Sequence, residues 1–267
     1  MWPGHLAGRF QARRNTEDGT ITQRQTEEER TMYSPATIRK VMAMSRDALD
    51  KYLDAIVKTS EIKLTISTGN KKIGRVLNVS TLAGRMCPNC KECIQWCYEL
   101  KAYFVYPSCL DARARNTAIL LRDRDDYFAR IDARLTRSRR RALKAFRWHV
   151  GGEIPDADYF DRMVRIAIAH PDWRFWTYTK NYPAVNEWVA AHGGTRDAVP
   201  ENLKVMFSEW DGMPIINPYG FPVFRCVLVS RGQSFTPGVH RCPGNCEICL
   251  AQHRGCPYGQ TTEVADH

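Results

Sequence analysis

Short segments of strand character alternate with longer helical segments through the second half of the chain. A parallel partner strand cannot be reached by a tight hairpin, so this alternation indicates parallel pairing through right-handed crossovers. The sequence therefore predicts an α/β fold. The leading architecture is a partial or complete (β/α) barrel, and a doubly wound open sheet is the alternative. The predicted strands cover residues 146–150, 174–178, 203–207 and part of 222–230, and the predicted helices cover residues 159–170 and 184–192.

The first half of the chain supplies further elements and the domain boundaries. Residues 1–32 are polar and lack periodicity, so we expect a mobile tail. A helix is predicted over 35–58, strands over 63–68 and 75–80 around a turn at Gly69-Asn70, and a helical stretch over 110–143 broken near Thr136. We accordingly predict a barrel domain at 33–235 and a cysteine-rich C-terminal extension at 236–267.

The chain contains ten cysteines, and eight of them fall in two tight groups. No segment has the apolar length of a signal peptide or a membrane span, so we expect a cytoplasmic location without membrane contact. In that reducing compartment, clustered cysteines indicate metal binding or catalysis rather than disulfide bonds. The sequence therefore predicts a metalloprotein.

The first group, Cys87, Cys90, Cys93 and Cys97, has the spacing C-x2-C-x2-C-x3-C. This spacing matches the run that holds iron–sulfur clusters in bacterial ferredoxins, whose closing proline is replaced here by Tyr98. A zinc site fits less well, because structural zinc sites usually separate their ligand pairs by about a dozen residues or more. Three of the four cysteines could hold one [4Fe-4S] cluster and leave one iron open for catalysis.

The second group lies near the C-terminus and has the spacing C-x3-C-x2-C followed by one further cysteine. Its four thiols could hold a second, fully ligated [4Fe-4S] cluster or a closed zinc site that fixes the tail, and the sequence leaves both open. The two remaining cysteines, Cys109 and Cys226, are expected to be small buried hydrophobic residues. The second group comprises Cys242, Cys246, Cys249 and Cys256, with His240, His253 and His267 nearby.

A glycine pair and an acid, Gly151-Gly152-Glu153, follow the predicted strand at 146–150. Glycines at a strand end permit close approach of the backbone to a ligand and backbone angles closed to other residues. The preceding His149 is either a ligand contact or a satisfied core histidine. Further candidates for substrate contact stand at or just beyond later strand ends, and these are Tyr178, Lys180 and Glu209.

A basic stretch between residues 111 and 147 carries twelve Arg or Lys against five Asp, within a net charge of +10. It includes Arg137, Arg139, Arg140 and Arg141. Such a run is either a solvated helix face or a phosphate-binding surface. A nucleic acid is therefore a possible partner through the face formed by residues 137–141.

In these features the chain resembles the radical SAM superfamily, whose members carry a three-cysteine loop after the first barrel strand and a Gly-Gly-Glu motif at the end of the second. The resemblance implies that the cysteine loop binds a [4Fe-4S] cluster. It further implies that S-adenosylmethionine chelates the open iron, with Gly151, Gly152 and Glu153 near its amino group. His149 and Tyr98 are grouped with them as cofactor contacts. A reductase or flavodoxin-like protein is implied as the electron donor.

The sequence is more closely similar to a phage- and plasmid-borne family known as gene product 88, which is regarded as radical-SAM-like. The resemblance spans about residues 63–267, including Ile66 to Gly74, His149 to Ile154, Phe175 to Lys180 and the terminal cysteine segment. The usual radical SAM spacing, C-x3-C-x2-C, is not kept by the first group. We expect its ligands to be Cys90, Cys93 and Cys97, with Cys87 as the spare.

The resemblance thus implies an iron–sulfur enzyme of radical SAM type that cleaves S-adenosylmethionine reductively to abstract hydrogen from an unidentified substrate, for which a nucleic acid or nucleotide is the leading candidate. One alternative is a non-catalytic nucleic-acid-binding protein stabilised by zinc or iron–sulfur sites. Another is a two-cluster electron carrier. The Gly-Gly-Glu turn counts against both alternatives, since neither role needs a glycine-lined strand end.

Overall fold

The computed structural model describes residues 51, 54, 62–90, 93–94, 97–138, 143–210 and 212–266. The mobile tail predicted at 1–32 and nearly all of the helix predicted over 35–58 lie outside these residues. None of the described helices is both long enough and apolar enough to cross a membrane.

Seven strands and six α-helices make up the described fold. The strands are β1 (Leu77–Val79), β2 (Ala145–Trp148), β3 (Arg174–Thr179), β4 (Leu203–Glu209), β5 (Val223–Val227), β6 (His240–Arg241) and β7 (Thr262–Ala265). The helices are α1 (Tyr98–Val105), α2 (Pro107–Arg122), α3 (Arg124–Thr136), α4 (Ala157–Ala169), α5 (Tyr182–Ala191) and α6 (Cys246–Ala251). Short 3-10 turns lie at Arg196–Ala198, Val229–Arg231 and Cys256–Tyr258.

All seven strands belong to one parallel sheet with the order β1-β2-β3-β4-β5-β7-β6. The prediction of an α/β fold is confirmed. The first five strands follow chain order without the reversal that defines a doubly wound sheet, so that alternative is not supported. Among the described residues β1 and β6 are the two edges, and the sheet is therefore open rather than a complete barrel.

Helices α2 to α5 cover one face of the sheet, which we call the outer face. Alternate strand residues such as Phe146, Trp148 and Phe175 point into this layer and pack against Tyr127 of α3 and Tyr159 of α4. Burial of these large side chains, at roughly 25 cal/mol per Å² of apolar surface, is the main source of stability. Trp173, Phe175 and Trp176 are likewise buried core residues.

The opposite, inner face is covered by the C-terminal segment. Ala145, Trp176 and Met206 project from β2, β3 and β4 and form a second cluster with Cys256, against which Cys246 of α6 packs. A period of two along each strand therefore separates the two faces. Although we predicted an extension at 236–267, β7 of this segment lies inside the sheet between β5 and β6.

The prediction of a strand at 63–68 is wrong. Ser67 alone forms an isolated antiparallel bridge, to Asn78. A side chain takes the place of a partner strand, because the amide of the buried Asn116 accepts a hydrogen bond from Thr65 N (2.8 Å) and donates one to Thr65 O (2.9 Å). The turn at Gly69-Asn70 is present: Gly69 has a φ of +108°, and Asn70 O accepts a hydrogen bond from Gly74 N.

The long helical stretch predicted over 110–143 is interrupted at Thr136, where the break was predicted and where α3 ends, and it is also divided at Asp123, which was not predicted. Asp123 has an extended backbone, with φ of −153° and ψ of 102°, and its carboxylate accepts the Asp126 amide. This residue therefore ends α2 and is the N-cap of α3, as Asp commonly is. Asp156 caps α4 in the same way.

Candidate metal centre

The carboxyl ends of β1, β2 and β3 meet at one edge of the sheet, as they must when strands are parallel. The first cysteine loop follows β1, and the Gly151-Gly152-Glu153 turn follows β2. The two are joined directly, because Thr81 N donates to Gly151 O (3.1 Å). Ser80 Oγ in turn accepts hydrogen bonds from Val150 N (3.1 Å) and Gly151 N (3.2 Å). The predicted proximity of loop and turn is thus present.

Both glycines of the turn are required by close packing. A Cβ on Gly151 would lie 2.4 Å from Cδ of Glu99, which is buried in α1 just after Cys97. Gly152 has a φ of +87°, and a Cβ there would lie 2.0 Å from Thr81 Oγ1. The backbone of the turn therefore lies against the cysteine loop more closely than any other residue type would allow.

The four cysteines of the first group are partly buried neighbours. Burial raises the pKa of the Cys87 thiol, and Glu153, Cys97 and Cys90 raise it further. Burial likewise raises the pKa of Cys97 to about 11, with Cys93 and Glu99 adding to the effect. The thiols of Cys87 and Cys97 thus share one desolvated space with the carboxyl of Glu153. Their deprotonated, negatively charged forms are disfavoured there unless a positive charge is close by.

Lys180, directly after β3, brings positive charge to this space. Its ammonium lies within hydrogen-bonding reach of the Cys93 thiol, and its pKa is raised overall because Cys93, Glu153 and Cys87 outweigh the opposing effect of burial. Burial raises the pKa of the Glu153 carboxyl. Its oxygens accept hydrogen bonds from Ile154 N (2.8 Å) and Lys180 N (2.7 Å). Glu153 therefore ties the end of β2 to the end of β3.

Tyr98 and His149 have different surroundings, although the resemblance grouped both with the cofactor. The Tyr98 hydroxyl donates to Val150 O, so it clamps the start of α1 to the glycine turn. His149 is buried, with Nε2 3.0 Å from the Tyr159 hydroxyl and Nδ1 3.5 Å from Thr177 Oγ1. These contacts are those of a core histidine, which was one of the two interpretations left open by the sequence.

The donor set of the first group suits an iron–sulfur cluster, since it is made of thiols alone. Across the described part of the chain, no three Cys, His, Asp or Glu side chains are already directed at one point as metal ligands. Cys87 lies in the segment 82–90, which consists of turns and irregular backbone, and Cys97 is the N-cap of α1. The fit is therefore one of chemistry and proximity, and the choice among the four cysteines stays open.

The second group lies on the inner face toward the amino ends of the strands. Its 3-10 turn contacts Arg174 at the start of β3, whose guanidinium donates to Pro257 O (3.2 Å). Gly259 lies against Lys204 near the start of β4. The two cysteine groups thus occupy opposite ends of the same face.

Arg147, in β2, lies between the two groups and was not among the predicted site residues. Its guanidinium stacks over the Tyr178 ring at 4.7 Å and interacts electrostatically with Tyr98, Cys246 and Cys256. Its Nε is buried without a hydrogen-bond partner among the described residues. The strand alternation could have indicated it, since Arg147 shares the inner face with Ala145.

The remaining predicted contacts are divided between the two ends of the inner face. Tyr178 faces the second group, because its hydroxyl is hydrogen-bonded to the Cys256 thiol. Glu209, at the end of β4, is ion-paired with Arg225, which also bonds Glu263 (3.1 Å). Cys109 lies 3.8 Å from Glu99 and Cys226 lies in β5, and both are half-buried. The structure brings Lys180, but not Glu209, into contact with the first group.

Much of the basic stretch is paired within the protein. Arg115 bonds Asp111 (2.6 Å) and Arg130 bonds Asp126 (2.8 Å), each one helical turn away. Arg124 joins α3 to Asp156 at the start of α4 (2.8 Å). Arg139, Arg140 and Arg141 lie outside the described residues, and the phosphate-binding face stays a prediction.

A comparison with protein families matches residues 54–213 to the family described as gene product 88, a phage-type family. This range contains the first cysteine group, the glycine turn and Lys180, and it ends before the second cysteine group. No family match supports the radical SAM resemblance. Comparisons with curated proteins and with solved structures found no match. Because the matched range covers more than half of the chain, the protein belongs to the gene product 88 family.

Proposed function

We propose that this protein is an iron–sulfur enzyme of radical SAM type. The proposal rests on the direct packing of the first cysteine loop against the glycine turn. Two hydrogen bonds join them, one from Thr81 N to Gly151 O and one from the Tyr98 hydroxyl to Val150 O. Binding a cluster and a cofactor side by side requires a cysteine loop next to a strand end where the backbone is accessible, and this arrangement is consistent with that requirement. The sequential order of β1 to β5, with all large helices on the outer face, suits a partial barrel.

Three of Cys87, Cys90, Cys93 and Cys97 would hold the [4Fe-4S] cluster, with Cys90, Cys93 and Cys97 as our assignment. When bound, such a cluster with an open iron supplies one-electron reduction of S-adenosylmethionine, giving methionine and a 5′-deoxyadenosyl radical that abstracts hydrogen from a substrate. The electron would come from a reductase or a flavodoxin-like protein. In cofactor enzymes of this kind the protein binds, orients and shields.

The side chains around the loop have distinct parts in that task. Lys180 places a positive charge beside Cys93 and offsets the negative charge that deprotonated thiols bring into a desolvated space. Glu153 is a positioning residue, because its carboxylate oxygens are engaged by Ile154 N and Lys180 N. The resemblance puts the amino group of S-adenosylmethionine near Gly151 and Gly152, whose backbone packs closely against Glu99 and Thr81.

Arg147 is our candidate for binding the carboxylate of S-adenosylmethionine or of a substrate. Its guanidinium lies on the inner face between the two cysteine groups, with a buried and unpartnered Nε. Stacking on Tyr178 holds the plane of the guanidinium in place. Arginine is suited to this role because its fork of N–H donors matches a carboxylate.

The test is reductive cleavage by the full chain after anaerobic reconstitution with iron and sulfide. We expect about four irons in the first site and formation of 5′-deoxyadenosine with dithionite. Cys93→Ser should abolish both, while Cys109→Ser, which changes a thiol outside the loop, should retain both. Arg147→Gln should raise the KM for S-adenosylmethionine, if that is its carboxylate ligand, by at least about tenfold. Arg174→Gln is the matched control, since Arg174 stacks on Tyr258 at the other end of the sheet.

A reconstituted cluster that cleaves no S-adenosylmethionine would overturn the proposal, and so would a first site that takes up zinc alone. Steeply salt-dependent binding of DNA or RNA without cleavage would instead favour the non-catalytic nucleic-acid-binding protein.

A further inference from the structure

The C-terminal segment buries little apolar surface of its own. Within residues 231–260, the buried side chains are those of Cys249, Cys256 and Pro257. Its one α-helix, α6, is six residues long, and Ile248 on that helix is 40% exposed. A segment with so few buried hydrophobic residues usually needs a disulfide bond or a metal ion to hold its loops together.

His240 and Cys249 meet at the centre of this segment. The Cys249 Sγ lies 3.6 Å from His240 Nε2, although nine residues separate them in the chain. Gly255 makes the meeting possible. It has a φ of +73°, and a Cβ there would lie 2.7 Å from His240 Nε2 and 3.0 Å from Cys249 Sγ. The space beside the imidazole and the thiol is therefore kept clear by a glycine.

Two further thiols adjoin this pair. Cys242 and Cys246 both interact electrostatically with Cys249. Cys246 and Cys249 occupy positions i and i+3 of α6, so they lie on the same side of the helix. Among the described residues the side chains are not yet directed at one point, so binding of an ion would have to gather them. Cys242 is held near them because its amide donates to Glu263 O of β7 (2.7 Å).

Cys256, the remaining cysteine of the group, has a different environment. It is buried in the inner-face cluster with Val76, Trp176 and Met206. Its thiol is hydrogen-bonded to Tyr178 and Thr262. The Cys256 thiol also interacts electrostatically with Cys242 and Cys246, but its two hydrogen bonds and its burial in the core cluster place it beneath the site rather than within the ligand set.

We propose that this segment binds a structural zinc ion through His240, Cys242, Cys246 and Cys249, and that Cys256 is not a ligand. Three thiolates and one imidazole form a closed tetrahedral zinc set with no open position for substrate. An imidazole as the fourth donor favours zinc over a second [4Fe-4S] cluster, whose ligands are usually four cysteines. The ion would close the amino end of the inner face, away from the first cysteine group.

The proposal is independent of the proposed function, and the experiment separates the two. The full chain is prepared with all four first-group cysteines replaced (Cys87→Ser, Cys90→Ser, Cys93→Ser and Cys97→Ser), so that any remaining metal reports the C-terminal site. We expect one zinc per chain by elemental analysis. Substitution of zinc by cobalt(II) should give the thiolate charge-transfer and ligand-field bands of a tetrahedral site with three sulfurs and one nitrogen.

In that background His240→Ala should weaken zinc binding at least about tenfold and shift the cobalt bands. Cys256→Ser is the matched control and should keep the zinc affinity and the cobalt spectrum. Because a variant can fail to fold, reversible loss of thermal stability on chelation is measured in the unsubstituted chain as well. Retention of zinc by His240→Ala with loss by Cys256→Ser would overturn the proposal, as would iron–sulfur absorbance, a disulfide or no bound metal in the background chain.

Discussion

Gly152 shows how one residue fixes the relation between the glycine turn and the cysteine loop. An alanine there would carry both a left-handed backbone and a Cβ 2.0 Å from the hydroxyl of the buried Thr81. Rotation of the Thr81 side chain would not remove the crowding, because the added Cβ would also lie 3.0 Å from the backbone oxygen of Thr81. The cost of the substitution therefore has a conformational part and a steric part.

A matched glycine separates the two parts. Gly193 has a φ of +99° and no atom within 4 Å of an added Cβ, so Gly193→Ala should cost only the left-handed conformation, about 1 kcal/mol. We expect Gly152→Ala to lower the free energy of unfolding by that amount plus about 1–3 kcal/mol for overpacking. Urea unfolding measures both. Equal losses in the two variants would show that the loop gives way without cost.

His149 gives the protein a pH dependence of stability. Burial, with a smaller contribution from Arg147, lowers the pKa of this histidine to about 3. Since the pKa in the unfolded chain is about 6.5, the folded state favours the neutral ring. The contribution of the buried neutral His149 ring to the free energy of unfolding is therefore complete above pH 6.5 and is lost as the pH falls toward 3. The Tyr159 hydroxyl, which bonds Nε2, offers the ring a neutral partner rather than a carboxylate.

We therefore expect His149→Asn to lower stability near neutrality, by loss of the ring contacts, but to flatten its decline between pH 6.5 and 3. Asparagine is chosen because it tolerates the left-handed backbone that His149 adopts at a φ of +54°. Urea midpoints across this range, for the wild type and the variant, measure the difference. If stability falls equally with pH in the wild type and the variant, His149 takes up its proton over the same pH range in the folded and unfolded chains.

The elements predicted best from sequence are those whose pattern is set by burial on the outer face. Strand β3 and helix α4 were predicted nearly to the residue, because period-two and helical patterns are strong where one face is covered. The strand predicted at 63–68 failed because the amide of Asn116, distant in sequence, satisfies the backbone of Thr65. No local pattern carries that information.

Elements near the two cysteine groups were the hardest to predict. Helix α1 follows directly from Cys97 without a side-chain cap. Helix α6 begins with a capping residue, Asn245, but is only six residues long, too short for a helical pattern to be recognised in the sequence. Strand β6 comprises two residues and is defined only by its pairing with β7. For the first site, sequence supplied the cysteines, the glycine turn and Lys180. Arg147 and the His240–Cys249 contact emerged only from the packing of distant segments.

At the level of the complete protein, the net charge of +10 is distributed in a way that the sequence alone does not reveal. Arg115 and Arg130 are partly exposed but lie 2.6 and 2.8 Å from Asp111 and Asp126. Such surface pairs add at most about 1 kcal/mol to stability, and each aspartate offsets the positive charge that a phosphate would meet at its arginine. Arg115 and Arg130 are therefore weak sites for a polyanion, and we expect attraction to come mainly from residues 137–141.

The salt dependence of nucleic-acid binding distinguishes attraction by residues 137–141 from attraction by the ion-paired Arg115 and Arg130. Each phosphate contact to single-stranded DNA contributes about 0.7 to the slope of log affinity against log salt concentration. We expect joint replacement of Arg139, Arg140 and Arg141 by Gln to reduce that slope by about 2, and joint Arg115→Gln and Arg130→Gln to change it by less than about 1. Fluorescence anisotropy with a labelled oligonucleotide between low and moderate salt gives both slopes. A large loss from the paired arginines would mean that their aspartates yield to phosphate, and the basic stretch as a whole would then be the interface.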